Sequence, residues 1–296
     1  MSLRRERFLA LASVDYANYG LEDLKALYTE YLNAGMHGLC FSPYMEGQEP
    51  GDQLSEEQVR RRLQIIKPYT QWVRSFSTTE GNELIAKVAK EMGMQTMVGA
   101  WLGDDPKKNE EEVDNLIAMA NAGFVEVAAV GNEVMYRGDL TEGELLDFIK
   151  YAKERINDVP VGYVDAYYEF RERPAITEAI DVILANCYPF WEGCDMDYSL
   201  LYMKDMYHQA LGAGKGKRVI ISETGWPDQG TNLEGAYPST ENAMKYFINS
   251  QKWSREEGIE MFYFSSFDES WKVGAEGDVG AYWGIWDKDE KLKFTV

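Results

Sequence analysis

The segment VIISETGWPDQG (residues 219–230) runs four apolar-leaning positions, Val219 to Ser222, straight into a carboxylate, Glu223. A Thr-Gly-Trp-Pro turn follows. The run lacks the polar/apolar alternation of a half-exposed strand, so it reads as a strand covered on both faces, as in a parallel sheet clothed by helices. A charge at the end of such a strand is costly unless it is paired, hydrogen-bonded or used.

Outward from this segment, seven more runs of the same kind occur. They are GLCFSPY (38–44), QWVRSFS (71–77), QTMVGAWL (95–102), VEVAAVGNE (125–133), VPVGYVDAY (159–167), VILANCYPF (182–190) and IEMFYFSSF (259–267), with KRVIISE (217–223) as the seventh in chain order. Between them lie amphipathic segments: SEEQVRRRLQIIKPY, NELIAKVAKEMG, KKNEEEVDNLIAMANAG, TEGELLDFIKYAKERI and STENAMKYFINSQKWSREEG. Ser55, Asn82 and Thr141 suit helix N-caps, and Gly93, Gly123 and Gly258 suit C-terminal stops.

Eight strands alternating with helices call for parallel pairing through right-handed crossovers. Within 296 residues they fit a single α/β domain, a (β/α)8 TIM barrel, whose usual size is about 250 residues. The rival, a doubly wound open sheet, usually carries a GxGxxG turn after its first strand, and GLCFSPYMEGQEPG has none. The segment after the eighth strand, GAEGDVGAYWGIWDKDEKLKFTV, holds no long helical run, so the last helix is expected to be short or missing. LEDLKALYTEYLNAG (21–35), in an extension over residues 1–37, reads as a helix that covers the gap.

Fifty acidic against 30 basic side chains give a formal charge of −20. That field disfavours nucleic acid and anionic polysaccharide and favours a neutral ligand. No run of about 18 apolar residues is present, so no membrane partner is expected. The start, MSLRRERFLALASVDY, is basic and then apolar, but Phe8 to Ala12 is shorter than a signal-peptide core of roughly 7–15 residues. Secretion or a periplasmic location is expected if a leader has been removed, and a cytoplasmic one otherwise. Three cysteines, Cys40, Cys187 and Cys194, are too few for a disulfide framework, although a Cys187–Cys194 bridge is open. Two histidines, His37 and His208, lie in or beside helical segments outside any ligand motif; this argues against a histidine metal site and a Ser-His-Asp triad. No cofactor is expected, and the chain is read as a monomer. GAGKGKR (212–218) lacks phosphate-loop spacing and reads as a basic turn.

In a barrel, residues at the C-terminal strand ends face the active site. Here those ends carry Tyr44, Arg74, Trp101, Asn132 with Glu133, Asp165, Tyr188 with Trp191, Glu223 with Trp226, and Asp268 with Glu269. Paired carboxylates, aromatic faces and hydrogen-bonding groups are the equipment for cutting a glycosidic bond. A lone strand-end Glu is as readily a salt-bridge partner, but Glu133 and Glu223 together, ending strands 4 and 7, can meet over the mouth. Trp101, Trp191, Trp226, Trp271, Trp283 and Trp286 are as readily core residues as sugar platforms, and Trp191 is the best stacking candidate.

VIISETGWPDQG resembles the signature segment of glycoside hydrolase family 17, and AAVGNEV is similar to that family's acid/base segment. GLCFSPYMEGQEPG, VRSFSTTEGNELIAKVAKEMGMQTMVGAWLGDD, NCYPFWEG and FDESWK…GAYWGIWD match in order, so the resemblance spans roughly residues 38–287. It implies a retaining enzyme acting on neutral β-1,3-glucan, an endo-glucanase first and a glucanosyltransferase second, without metal. By position Glu133 resembles the acid/base and Glu223 the nucleophile. Asn132 would hold the sugar's 2-hydroxyl, Tyr188 would bond the nucleophile, and Glu269 with Lys272 would form a polar cluster after strand 8. The chain departs from the pattern at Gly280, where family members carry Glu, and Glu276 is the substitute at hand. The reading from another class is a non-catalytic glycan-binding barrel, which would be expected to lack one of the two carboxylates.

Overall fold

The computed structural model describes residues 14–295. The apolar stretch Phe8 to Ala12, weighed above as a leader core, lies outside them. Eight parallel strands close into a barrel in chain order, with β8 pairing back onto β1. They are β1 (Met36–Cys40), β2 (Thr70–Ser75), β3 (Gln95–Ala100), β4 (Val127–Asn132), β5 (Val161–Ala166), β6 (Val182–Asn186), β7 (Arg218–Thr224) and β8 (Met261–Tyr263). Every expected run overlaps one of these strands. Most stop short of the expected C-terminal boundary, because a strand persists only where both neighbours offer a ladder and the chain then turns out to the mouth. β8 is the extreme case: beyond the cis peptide Phe264–Ser265, the amides of Ser265 and Ser266 donate to Trp283 and Cys40, and Ile285 donates back to Ser265. The C-terminal segment thus takes over the bonding of the run 265–268.

Helices clothe the barrel: α1 (Leu21–Asn33), α2 (Glu56–Ile66), α3 (Leu84–Glu91), α4 (Pro106–Asn121), the one-turn α5 (Val134–Arg137), α6 (Glu142–Lys153), the short α7 (Glu169–Glu172) and α8 (Pro174–Ala179), α9 (Ser199–Gly214), α10 (Thr240–Glu257) and the one-turn α11 (Val273–Glu276). Ser55 and Thr141 cap as expected, each accepting the amide three residues on. Asn82 does not. The α3 N-cap is Glu83, and the Asn82 amide instead donates to the Tyr44 hydroxyl and the Thr79 carbonyl. Gly93, Gly123 and Gly258 all adopt positive φ past their helix ends. The sequence reading placed His208 in or beside a helical segment but gave α9 no bounds, since its apolar residues spread around its axis and its last turn holds two glycines. The basic turn after it is formed around Lys215 at positive φ.

The last helix shrinks to α11, and α1 fills the gap by packing on α10. The Tyr28 ring lies 4.8 Å from Phe247 and 5.6 Å from Phe294. The Cys187–Cys194 bridge that the sequence left open is not formed, and Cys187 is buried. His37 sits on β1 just past the end of α1, stacked 5.6 Å from Trp72. Among the described residues no helix is long and apolar enough to cross a membrane.

Candidate active site

β4 ends at Asn132 and delivers Glu133 to the mouth through an irregular turn. The β4–β5 register shifts between Ala129 and Asn132, Gly131 has φ +87°, and Glu133 itself is left-handed at φ +51°. Its amide donates to the Val164 carbonyl at 2.7 Å. β7 delivers Glu223 from the opposite wall. The turn that follows needs Gly225, since a Cβ there would lie 2.2 Å from the Phe264 carbonyl oxygen.

Each carboxylate is held by named partners. Arg74 Nη1 donates to Glu223 Oε1 at 2.5 Å, and the Tyr188 hydroxyl donates to Oε2 at 2.7 Å. Arg74 Nη2 also donates to Asn132 Oδ1 at 2.6 Å, so one buried guanidinium ties the end of β7 to the end of β4. Asn186 Nδ2 donates to Glu133 Oε1 at 2.8 Å, while its Oδ1 accepts from the Ser222 hydroxyl at 2.8 Å. The guanidinium charge beside Glu223 matches a carboxylate anion. Glu133 is different. Burial first, then the negative Glu223, push its carboxyl up to about 7; Asp165 adds to this, and Asn186 and Arg137 oppose it. One site therefore holds a paired carboxylate and a carboxylic acid that keeps its proton near neutrality.

The cleft above them has a volume of about 560 Å³. Tyr136, Tyr167 and Tyr168 line it from the β4 and β5 loops, and Trp191, Phe264 and Trp283 from the β6 and β8 side. After β8, Lys272 pairs with Glu269 at 2.8 Å, its ammonium 4.1 Å from the Phe264 ring centroid. Glu276 also reaches the cleft. Burial raises its carboxyl to about 7, with Lys272 opposing and Glu269 and Glu223 adding to the rise.

Of the residues singled out in the sequence, Glu133, Glu223, Glu276, Tyr188, Trp191 and Trp283 line this cleft. Arg74, Asn132, Glu269 and Lys272 are buried around it and hold charges in place. Others do not reach it. Trp226 is a core residue: its ring packs 5.2 Å from Phe190 and 5.5 Å from Tyr246, and its indole N–H donates to the Tyr237 carbonyl. Tyr44 is buried edge-on to Trp271, with its hydroxyl taken by Asn82. Trp101 is exposed, but its ring face is covered by the Arg137 guanidinium at 4.2 Å. Asp268 is likewise spent on Lys293 at 2.9 Å, which fastens the C-terminal segment. Asn186 and the three tyrosines were missed. Asn186 carried the same signal as Glu223, a polar residue closing an apolar strand, whereas Tyr136 sits in the one-turn α5 and Tyr167 and Tyr168 in the turn after β5, too short for any periodic signal. Among the described residues no group of three or more His, Cys, Asp or Glu side chains is placed to hold a metal ion.

Residues 38–284 match the family model for the BtgE/BtgC glycoside hydrolase domain. The chain is 30% identical over 263 residues to the glucan 1,3-β-glucosidase of Saccharomyces cerevisiae, covering 79% of this chain and 83% of that one. It is 29% identical over 254 residues to the glucan 1,3-β-glucosidase of Arthroderma benhamiae, covering 78% and 81%. Among solved structures, it resembles an active-site mutant of the Rhizomucor miehei β-1,3-glucanosyltransferase in complex with laminaritriose. That match has TM-score 0.80 and 29% identity, and covers 89% of this chain and 98% of that one.

Proposed function

The chain belongs to the BtgE/BtgC glycoside hydrolase family, and on that premise we propose that it cleaves β-1,3-glucan by double displacement, with Glu223 as nucleophile and Glu133 as acid/base. The observation that carries this reading is the pairing across one cleft of an anion held by Arg74 and Tyr188 with a carboxyl that stays protonated up to about pH 7.

Retention requires the two carboxyl groups about 5–5.5 Å apart, close enough for direct attack with no water between. Glu223 attacks the anomeric carbon while Glu133 gives its proton to the departing glycosidic oxygen. Arg74 and Tyr188 aim the attacking oxygen. Arg74 occupies the Asn132 carbonyl oxygen, which leaves that side chain's amide N–H groups for the sugar's 2-hydroxyl. In the second half, Glu133, now a base, takes a proton from water, and the attack of that water frees the sugar from Glu223 with its β configuration restored. A cleft of about 560 Å³ with aromatic rings on both flanks suits several neutral sugar rings, and so binding within a polymer chain. The protein is taken to act as a monomer.

A second reading shares every atom of the first half. The likeness to a β-1,3-glucanosyltransferase favours a sugar hydroxyl in place of water as the acceptor. Incubation with β-1,3-, β-1,4- and β-1,6-glucans followed by product sizing tests both. Shorter β-1,3 products alone mean hydrolysis, and products longer than the substrate mean transfer. No new reducing ends and no transfer products from any β-1,3-glucan would sink the proposal.

A further inference from the structure

We propose that Asp165 is a positioning residue for the general acid: anchored on β5, it clasps the turn that aims Glu133 into the cleft. The proposal rests on the assignment of Glu133 as acid/base.

Asp165 is fully buried, where an isolated carboxylate would be costly, and all of its recorded partners lie on its own strand or on the turn after Glu133. Its Oδ2 accepts from the amides of Met135 and Tyr136 at 3.3 and 3.4 Å, the second and third N–H groups after the left-handed Glu133. Its Oδ1 accepts from Ala166 N at 2.8 Å, and Oδ2 also takes the Tyr163 hydroxyl. Tyr163 reinforces the clasp, its oxygen accepting from Met135 N at 3.0 Å. A residue with a Cβ rarely occupies the conformation of Glu133 and keeps it only where the surroundings hold it. β5 supplies that hold through the Val164 carbonyl, Asp165 and Tyr163.

The clasp carries a charge as well as a shape. The charged or polar groups facing Glu133 are Glu223 from β7, Asn186 from β6, Asp165 from β5 and Arg137 from α5. Negative charge on Asp165 strengthens the grip of Glu133 on its proton. A mere fold-stabilising carboxylate would affect all substrates alike. A residue that places an acid matters most when the leaving group needs a proton.

The test compares laminarin with an activated dinitrophenyl β-laminaribioside, whose leaving group departs without protonation. Asp165→Asn keeps the size and one oxygen acceptor and removes the charge. The expected result is a fall in kcat/KM of about tenfold or more on laminarin, within the range of general-acid contributions. The aryl glycoside should lose no more than about threefold, and the basic limb of the laminarin pH profile should move to lower pH. Equal losses on both substrates, or wild-type behaviour on both, would overturn the proposal. Should Asp165→Asn fail to fold, Tyr163→Phe removes the phenol shared by Asp165 and Met135 while keeping the ring, and is read in the same way. Glu133→Gln, run alongside, should spare kcat/KM on the aryl glycoside and abolish laminarin cleavage. If it lowers both equally, the assignment of Glu133 has failed; if only Glu133→Gln shows the selective loss, Asp165 alone has been misassigned.

Discussion

Glu133 shows how a site residue sets function against stability. Its carboxyl ionises at about 7 in the folded protein against an ordinary value of 4.5. Between those values the native state holds a proton that the unfolded chain releases, so this residue's contribution to stability falls as pH rises through that window. Glu133→Gln should therefore melt higher than wild type at pH 8, by about 1–2 kcal/mol for a group that still borders the cleft, and close to wild type at pH 4. A gain of equal size at both pH values would contradict the burial and Glu223 effects named as its cause. Arg74 works in the opposite sense. It is buried, bonded to both Glu223 and Asn132, and its loss strands a carboxylate in the barrel. Arg74→Met should cost about 3–5 kcal/mol in chemical denaturation and lower kcat on laminarin by roughly a hundredfold or more, as when a preorganised charge partner is removed.

At the scale of elements, the barrel was legible because eight continuous apolar runs alternate with helical periods, and because Glu133 and Glu223 each close such a run. Strand ends were less so. Where IEMFYFSSF leaves the barrel at Tyr263 depends on residues 283–286 arriving to bond it, a contact no local pattern announces. Trp226 and Tyr44 misled for a related reason: a strand-end position does not say whether a large ring turns up into the cleft or down against a helix. The helix α1 was legible, and its role is testable. Tyr28 is buried between Phe247 and Phe294, so Tyr28→Ala should destabilise by about 3–5 kcal/mol and leave kcat of the folded fraction near wild type. If Tyr28→Ala melts like wild type, α1 is not the cover that replaces an eighth outer helix.

For the whole molecule, charge and cleft chemistry agree. The net charge of −20 has its counterpart in a cleft whose lining carries Glu192 and Glu223 beside the proton-holding Glu133 and Glu276, and neither Lys nor Arg. A carboxymethylated β-1,3-glucan should be cleaved more slowly than a neutral one of equal length, with the gap narrowing as salt is raised. A gap that salt leaves unchanged would point to shape rather than charge as the filter. The central claim is that Glu223 forms a covalent bond to the sugar. Its most direct test is incubation with a 2-deoxy-2-fluoro-β-laminaribiosyl fluoride followed by peptide mass spectrometry. The account predicts a single glycosyl adduct on the peptide carrying Glu223; an adduct on another residue, or none while the glycosyl fluoride is hydrolysed to fluoride ion and the inverted α sugar, would contradict it.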